Sequence, residues 1–240
     1  MNRLANIFFI CIGFFLFTSC GWRTVRGNGD LTTDDRSHTD FKGVKTAGAF
    51  DLYVTQGSSY DVKIEAEENL MEYIVTEVND HVLVVKVKSG INLRPRKDIK
   101  IFVTAPAFRQ LSIAGSGDIV AEEELRSDAT VSFSIAGSGD ISVRSVYAPG
   151  VKVKIAGSGN VKISGETRSA EYRIAGSGDI KCPDLKAENA EVHIAGSGGV
   201  WLFASQSLDV HIAGGGDVYY KGNPLNVKKK IAGSGNLVAQ

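Results

Sequence analysis

The chain has 240 residues and carries 27 basic and 27 acidic side chains, so its formal net charge at pH 7 is zero. This balance argues against nucleic-acid binding, which usually requires a basic excess. The length allows one substantial core, either in one elongated domain or in two small ones.

The first nineteen residues have the pattern of a bacterial signal peptide. Arg3 gives a positive start, and residues 7–17 form an apolar run that is too short to span a bilayer as a mature helix. The sequence Phe-Thr-Ser-Cys that ends at Cys20 resembles the lipobox of bacterial lipoproteins. We therefore predict a lipoprotein signal peptide over residues 1–19 and a membrane anchor through a lipid on Cys20. The alternative is an uncleaved anchor in which the cysteine is incidental.

Cysteine usage excludes an intramolecular disulfide in the mature chain. Cys11 is removed with the signal peptide and Cys20 carries the predicted lipid, which leaves Cys182 as the only thiol. This residue lies on the apolar parity of its strand, so we expect a buried and unreactive side chain.

The segment that follows the lipid site is mostly polar. Residues 20–38 show no periodicity, and we predict a flexible tether that reaches about 25 Å on average. Residues 39–110 then alternate apolar and polar side chains in short, less regular runs that are typical of β-strands. Within this section, residues 46–51 look like a degenerate copy of the repeat that dominates the rest of the chain.

A hexapeptide, Ile-Ala-Gly-Ser-Gly-Asp or a close variant, recurs seven times over residues 111–240, at intervals of 18 to 22 residues. Apolar and polar residues alternate with a period of two through each copy and its flanks, as in a β-strand. A fixed period near twenty residues indicates one stacked unit, here a parallel β-helix of about ten rungs, in which a rung is one turn. A β-propeller blade needs about forty residues, and a sandwich does not repeat one motif in this way. The copies begin at Ile113, Ile135, Ile155, Ile174, Ile194, Ile212 and Ile231.

The motif glycines occupy two inward positions of every rung, whereas Ala, Ser and Asp or Asn face outward. Two explanations are open at this point. The glycines could form a bend that needs unusual dihedral angles, or a wall at which opposite strands approach closely.

The lipobox, residues 47–51, the β-like segment 62–87 and the tandem hexapeptides together resemble the head-GIN-domain putative auto-transporter adhesin family. The resemblance spans about residues 41–240. It implies an all-β, right-handed parallel β-helix on a secreted or lipid-anchored bacterial protein of the Bacteroidetes type. It also implies that residues 39–240 form one domain at the outer membrane, on either its periplasmic side or its outer surface. No membrane-spanning barrel follows the repeats in this sequence, so we do not carry over export through its own translocator.

The outward residues two positions after each motif Asp, Asn or Gly are predicted to form a column along the solenoid. In this column Trp201 and Tyr219 are predicted to be stacked neighbours, with Phe203 beside them. Exposed aromatic rings on a rigid sheet suit sugar rings or a protein partner, so these three residues are the candidate binding surface. The alternative is that a tail, a corner or another subunit covers them.

Two sets of polar residues could bind metal ions. The outward Asp and Asn column invites a calcium interpretation, but calcium β-rolls have a nine-residue period, and bonds from these side chains to nearby backbone explain the column better. On adjacent rungs His193 and His211, together with Glu191 and Asp209, are weak candidates for a divalent metal. An exposed face of ion pairs is the stronger interpretation, and we predict no cofactor and no metal.

Catalysis is not expected, because the rungs leave no room for the long loops that build grooves in the polysaccharide-acting β-helix enzymes. The motif serines also lack the strand-to-helix turn of a nucleophile elbow. We therefore predict a non-enzymatic envelope lipoprotein that binds a glycan or a protein. The alternatives are a structural envelope protein that assembles into homo-oligomers through its end rungs and, more weakly, a polysaccharide-acting enzyme.

Overall fold

The computed structural model describes residues 23–240, which are built almost entirely of β-strands. The predicted signal peptide, the lipid site Cys20 and the first residues of the predicted tether lie outside the described residues. The N-terminal section consists of nine strands and one short helix: β1 (Arg23–Arg26), β2 (Leu31–Asp35), β3 (Gly43–Gly48), β4 (Asp51–Gln56), β5 (Asp61–Glu67), α1 (Glu68–Met71), β6 (Ile74–Asn79), β7 (Val82–Val87), β8 (Ile91–Arg94) and β9 (Lys100–Ala105).

The repeats form a β-solenoid whose strands pair in parallel and in register. Its strands are β10 (Gln110–Gly115), β11 (Ile119–Arg126), β12 (Val131–Gly137), β13 (Ile141–Gly157), β14 (Val161–Gly176), β15 (Ile180–Gly196), β16 (Val200–Gly214), β17 (Val218–Lys221), β18 (Asn226–Gly233) and β19 (Leu237–Ala239). The motif isoleucines from Ile113 to Ile212 are each at most 3% exposed, so they form the inner column that the period-two pattern predicts. The all-β parallel β-helix is confirmed.

The glycine motif is a bend and a close backbone approach at once. Gly157 has a φ of +139°, and a Cβ atom there would lie 2.1 Å from the carbonyl oxygen of Gly137. A Cβ atom on Gly159 would lie 2.0 Å from the carbonyl oxygen of Gly139. The close approach is therefore to the neighbouring rung and not to an opposite wall. Glycine is required because the bends of successive rungs stack backbone on backbone.

The order of strands in the stack differs from their order in the chain at the N-terminal end. Strand β3 lies between β7 and β10, and β4 lies between β9 and β11. Ala47 and Gly48 pair with Ala114 and Gly115, so the predicted degenerate copy of the repeat does occupy a rung. The chain winds continuously through about six turns, fewer than the ten expected. Strands β3, β4, β7 and β9 add layers at the N-terminal end of the stack, but β5 and β6 between them pair antiparallel with β9 and β7, so these layers are not successive turns.

The flexible tether predicted for residues 20–38 is wrong for the part that the structure describes. Strand β1 pairs with β8, and β2 pairs antiparallel with β5. Between them, the buried carboxylate of Glu67 accepts hydrogen bonds from the backbone N–H groups of Gly29, at 2.6 Å, and Arg96, at 2.8 Å. A polar segment therefore folds here through backbone pairing and one buried acceptor, which hydrophobic periodicity does not report.

The C-terminal end of the solenoid is uncovered within residues 23–240. Lys229, which shares the inward parity of the motif isoleucines, pairs with Val210 in β16 and is exposed. The last rung is nevertheless a regular strand, since β18 keeps its register with β16 over eight residue pairs.

Candidate functional site

The outward residues that follow each bend form one continuous column along the solenoid, which we call the aromatic column. Its members are brought together by the parallel register, which pairs Lys181 with Trp201 and Trp201 with Tyr219. From the N-terminal end of the stack, the column consists of Phe102, Tyr53, Val120, Ser142, Lys162, Lys181, Trp201, Tyr219 and Val238.

Trp201 and Tyr219 stack on each other as the sequence predicts. Their ring centroids are 5.1 Å apart and their planes differ by 12°. On the preceding rung, the Nζ atom of Lys181 lies 5.7 Å from the centroid of the Trp201 ring. Tyr219 covers one face of the indole and the lysine approaches the other. A ligand therefore meets mainly the ring edges, the indole N–H of Trp201, the hydroxyl of Tyr219 and the Lys181 ammonium.

The absence of a side chain at Gly199 makes room for the indole. In the other repeats this position is Asp or Asn, whereas a Cβ atom at Gly199 would lie 2.6 Å from a ring carbon of Trp201. The backbone N–H of Gly199 still donates to Asp179 Oδ1 at 2.9 Å. The one repeat that lacks an Asp or Asn is thus the one whose bend supports the Trp201 ring. The glycine that interrupts the Asp and Asn column is the sequence feature from which this support could have been predicted.

A second aromatic pair lies near the other end of the same column. Tyr53 and Phe102 stack with centroids 5.1 Å apart and planes 18° apart, and Phe102 is 36% exposed. Sequence reasoning missed this pair. Tyr53 could have been found, since it follows Asp51 of the degenerate repeat by the same two positions as Tyr219 follows Asp217. Phe102 could not have been found, because β9 pairs with β4 only through a stacking order that differs from the order of the strands in the chain.

Phe203 follows Trp201 by two residues in β16, and it lines a groove that Trp201 and Tyr219 do not line. Phe203 pairs with Lys186 and Lys221, and the pairing of β15 with β16 is irregular between Lys181 and Lys186. The Lys186 Nζ atom lies 4.3 Å from the Phe203 ring centroid. This aromatic side chain lines a separate groove together with Tyr147, whose ring lies 4.6 Å from the guanidinium of Arg126.

The two motif-flanking histidines stack but do not form a closed metal site. His193 and His211 have ring centroids 5.0 Å apart with planes 8° apart. The Nε2 atom of His193 lies 2.5 Å from Glu191, and that of His211 lies 3.1 Å from Asp209. Among residues 23–240, no group of three or more His, Cys, Asp or Glu side chains is arranged to hold a metal ion.

The same face of ion pairs extends to the preceding rungs. Arg173 and Lys152 both contact the carboxylate of Glu171. The hydrogen bond from Arg173, opposed by partial burial, is the main reason that the pKa of Glu171 lies below its ordinary value. This face is a surface network of charges with little stabilising effect per pair.

Beside this row of charges runs a shallow apolar groove of about 720 Å³, which we call the alanine groove. Its floor consists of the outward alanines of successive motifs, and the row of basic residues borders it. The residues that define it are Ala136, Ala156, Ala175, Ala195, Ala213 and Ala232, with Lys154, Arg173, His193, His211 and Lys230.

The outward Asp and Asn column bonds backbone and so has a structural role. The Oδ1 atom of Asp118 accepts the backbone N–H of Asp140 at 2.8 Å, and Asp217 accepts that of Asn236 at 2.8 Å. Each acceptor serves the equivalent residue of the next rung. The sequence predicts bonds to local backbone; the structure extends them from rung to rung.

The chain is similar to a bacterial protein family and to several solved structures. Residues 40–224 match the family described as "Putative auto-transporter adhesin, head GIN domain". A putative adhesin from Bacteroides fragilis is 26% identical, with a TM-score of 0.84 over 90% of this chain and 100% of its own. A putative lipid binding protein from Parabacteroides distasonis is 28% identical, with a TM-score of 0.73 over 91% of this chain and 100% of its own.

A putative adhesin from Parabacteroides merdae shares the fold at 23% identity, with a TM-score of 0.71 over 90% of this chain and 99% of its own. No curated protein matches the sequence significantly. Among residues 23–240, no helix has the length and apolar character needed to cross a membrane.

Proposed function

This chain belongs to the head GIN domain family of putative auto-transporter adhesins, and on that premise we propose that it is an adhesive, non-enzymatic protein of the cell envelope. We propose that a lipid on Cys20 anchors it to the outer membrane and that the Trp201–Tyr219 end of the aromatic column binds a glycan or protein ligand. The observation that carries this proposal is the stacked pair itself, two large rings held on the outside of a rigid sheet.

The geometry of the pair favours binding because its ordering is completed before a ligand arrives. Trp201 is fixed between the Tyr219 ring and the backbone at Gly199. Side chains that are ordered in advance lose little conformational entropy on association. The nearby Lys181 ammonium and the Tyr219 hydroxyl, 3.5 Å from Asp217 Oδ2, supply polar groups at the rim, as recognition surfaces commonly do.

The test compares two aromatic surfaces of the same molecule. Soluble chain from residue 21 would be screened on glycan arrays, on envelope fractions and on whole cells. The double variant Trp201→Ala and Tyr219→Ala should lose the signal at least about tenfold, since buried aromatic anchors typically contribute more than about 1.4 kcal/mol. Phe203→Ala, in the separate groove, should retain it. Equal signals from the double variant and the wild type would reject the aromatic surface.

Anchoring is tested separately in cells. The full chain should incorporate labelled palmitate and fractionate with the outer membrane, and Cys20→Ala should do neither. Protease accessibility on intact cells then distinguishes display on the outer surface from a periplasmic location. An unlabelled wild-type chain would reject the lipid anchor and leave the binding surface to its own test.

A second candidate function is the binding of an apolar ligand in the alanine groove. It is favoured by the groove's apolar floor and basic border, and by one relative that is described as a putative lipid binding protein. Displacement of a fluorescent fatty acid tests it. Ala175→Asp, which adds a charge to the floor, should abolish binding, whereas the exposed Ser158→Asp should not.

Self-assembly through the end rungs is the structural alternative. The uncovered strand β18 offers backbone groups for pairing, but three consecutive lysines, Lys228, Lys229 and Lys230, oppose contact with a second copy of the same edge. We therefore expect a monomer in light scattering at high protein concentration. A concentration-dependent dimer that Lys229→Glu alters would support the structural alternative.

A further inference from the structure

We propose that the N-terminal end of the solenoid carries a site for anionic phospholipid headgroups, so that the domain stands on its membrane through this end. The site, which we call the N-terminal basic patch, consists of five exposed side chains: Arg23, Arg26, Arg94, Arg96 and Lys97. The inference rests on the proposed lipid anchor for the orientation of the domain, and the charge of the patch is independent of it.

Strand pairing brings the basic residues together. In the parallel pair of β1 and β8, Arg26 lies directly opposite Arg94. Like charges opposite each other on neighbouring strands destabilise the pairing, so this arrangement is unfavourable for the isolated domain. The backbone N–H of Gly27 bonds the carbonyl of Arg94 at 3.0 Å, which continues the pairing past the two arginines and keeps them adjacent.

No acidic side chain among residues 23–240 neutralises the patch through a close ion pair. Within residues 23–240, none of the ion pairs includes any of the five basic groups. Residues 1–22 contain no Asp or Glu, so that segment supplies no carboxylate. Asp30 and Asp98 are the acidic residues closest in sequence, and both are exposed. The five positive charges are therefore available to an external anion.

The patch is also held in shape from below. Glu67 is fully buried and uses its two oxygens on the backbone N–H groups of Gly29 and Arg96. Its carboxylate thus fixes the loop that presents the arginines without pairing with their guanidinium groups. A surface that is ordered before binding loses less entropy when a ligand docks.

The length of chain between the lipid site and the patch determines which anion is nearest. Two residues separate Cys20 from Arg23, and the three peptide units between them, even when fully extended, span only about 10 Å. This is close to the distance of about 8 Å over which salt screens charges at physiological ionic strength. A lipid on Cys20 therefore keeps the patch within reach of the headgroups, whereas a long flexible tether would not.

The experiment uses chain from residue 21, without lipid, and sedimentation with vesicles. Related chains of this extent are known as folded domains, since a crystallised relative covers 90% of this chain and 100% of its own. We expect binding to vesicles that contain phosphatidylglycerol, no binding to pure phosphatidylcholine, and release at high salt. Each basic residue near an anionic surface strengthens partitioning about fivefold, so Arg26→Gln with Arg94→Gln should weaken it at least about tenfold.

The matched control removes two positive charges from the other end of the molecule. Lys228→Gln with Lys229→Gln, two exposed residues that do not line the alanine groove, changes the net charge equally and should leave vesicle binding unchanged, with both double variants checked for the wild-type circular dichroism. Absence of wild-type binding, or an equal loss in the control, would overturn the proposal. Vesicle binding by a chain that is found unlipidated in cells would reject the anchor and keep the patch.

Discussion

Asp140 Oδ1 accepts two hydrogen bonds from Asn160 on the next rung, one from the backbone N–H at 2.7 Å and one from the side-chain amide at 3.0 Å. The carboxylate thus links two stacked bends and adds to the backbone hydrogen bond that the N–H of Ile141 donates to the Asn160 carbonyl at 2.8 Å. The repeated Asp and Asn therefore hydrogen-bond successive rungs to each other, which explains the outward column without a metal ion.

The first prediction concerns the removal of this hydrogen-bonding carboxylate. Asp140→Ala should lower the free energy of unfolding by about 1–2 kcal/mol, because it deletes charge-assisted hydrogen bonds and leaves a backbone N–H to water. Urea denaturation followed by circular dichroism measures the change. Asp184→Ala is the control, since this exposed carboxylate makes no hydrogen bond or ion pair with residues 23–240. Equal midpoints for the two variants would mean that the bonds between bends do not stabilise the stack.

The second prediction concerns the bend glycines. Gly157→Ala should be severely destabilising, by about 4 kcal/mol or more, because the new Cβ atom would lie 2.1 Å from the Gly137 carbonyl oxygen at a φ of +139°. The neighbouring Ala156→Ser, on the exposed side of the same bend, should change stability by no more than about 0.5 kcal/mol. Soluble yield and thermal unfolding distinguish the two. A Gly157→Ala protein with wild-type stability would contradict the stacking of bends described above.

The third prediction uses the buried thiol. Burial raises the pKa of Cys182 from its ordinary value of 9.0 to about 12. In the folded chain the thiol therefore stays protonated at pH 8, and a disulfide reagent should modify it only after unfolding. Chain from residue 21 contains no other cysteine, so a thiol count of zero when native and one in denaturant is expected. One rapidly reacting thiol in the native protein would contradict the burial.

The same group makes stability depend on pH in a defined direction. The unfolded thiol ionises near pH 9 and the folded one near pH 12, so folding retains the proton. The contribution of the protonated thiol to the free energy of unfolding is fully present below about pH 8.5 and is lost progressively as the pH rises toward 12. The difference in urea midpoint between wild type and Cys182→Ala should therefore shrink from pH 7.5 to pH 10. A difference that is independent of pH would contradict this linkage.

The solenoid could be predicted from the sequence because each of its requirements recurs. Isoleucines such as Ile155 and Ile174 alternate with outward residues at a period of two, and every rung repeats the glycines that its bend needs. The Trp201–Tyr219 stack followed from the same register. One periodic rule thus fixes both the inner core and the outer columns.

The N-terminal section could not be predicted in this way because its contacts are neither periodic nor local. The bond from Gly29 to Glu67 spans 38 residues, and no hydrophobic pattern indicates it. Likewise, Phe102 reaches Tyr53 only because β9 stacks beneath β4 out of chain order. The pairing of Phe203 with Lys186 also could not be read from the repeat, because the register between β15 and β16 is irregular after Lys181. These features depend on long-range backbone pairing, which a repeat does not encode.

The last prediction restores the consensus residue at the bend below the indole. Gly199→Asp makes this rung match its neighbours, yet its Cβ atom would lie 2.6 Å from a ring carbon of Trp201, so the ring must leave the bend and the Tyr219 stack. Trp22 and Trp201 are the only tryptophans; in chain from residue 21 with Trp22→Phe, Gly199→Asp should shift tryptophan emission to longer wavelength and increase quenching by acrylamide. Asn160→Asp, the same change of charge on a rung whose column residue is Lys162 and not an aromatic, should leave both signals unchanged. Unaltered emission in Gly199→Asp would mean that the bend does not support the ring, and the preordering assigned to the binding surface would then be withdrawn.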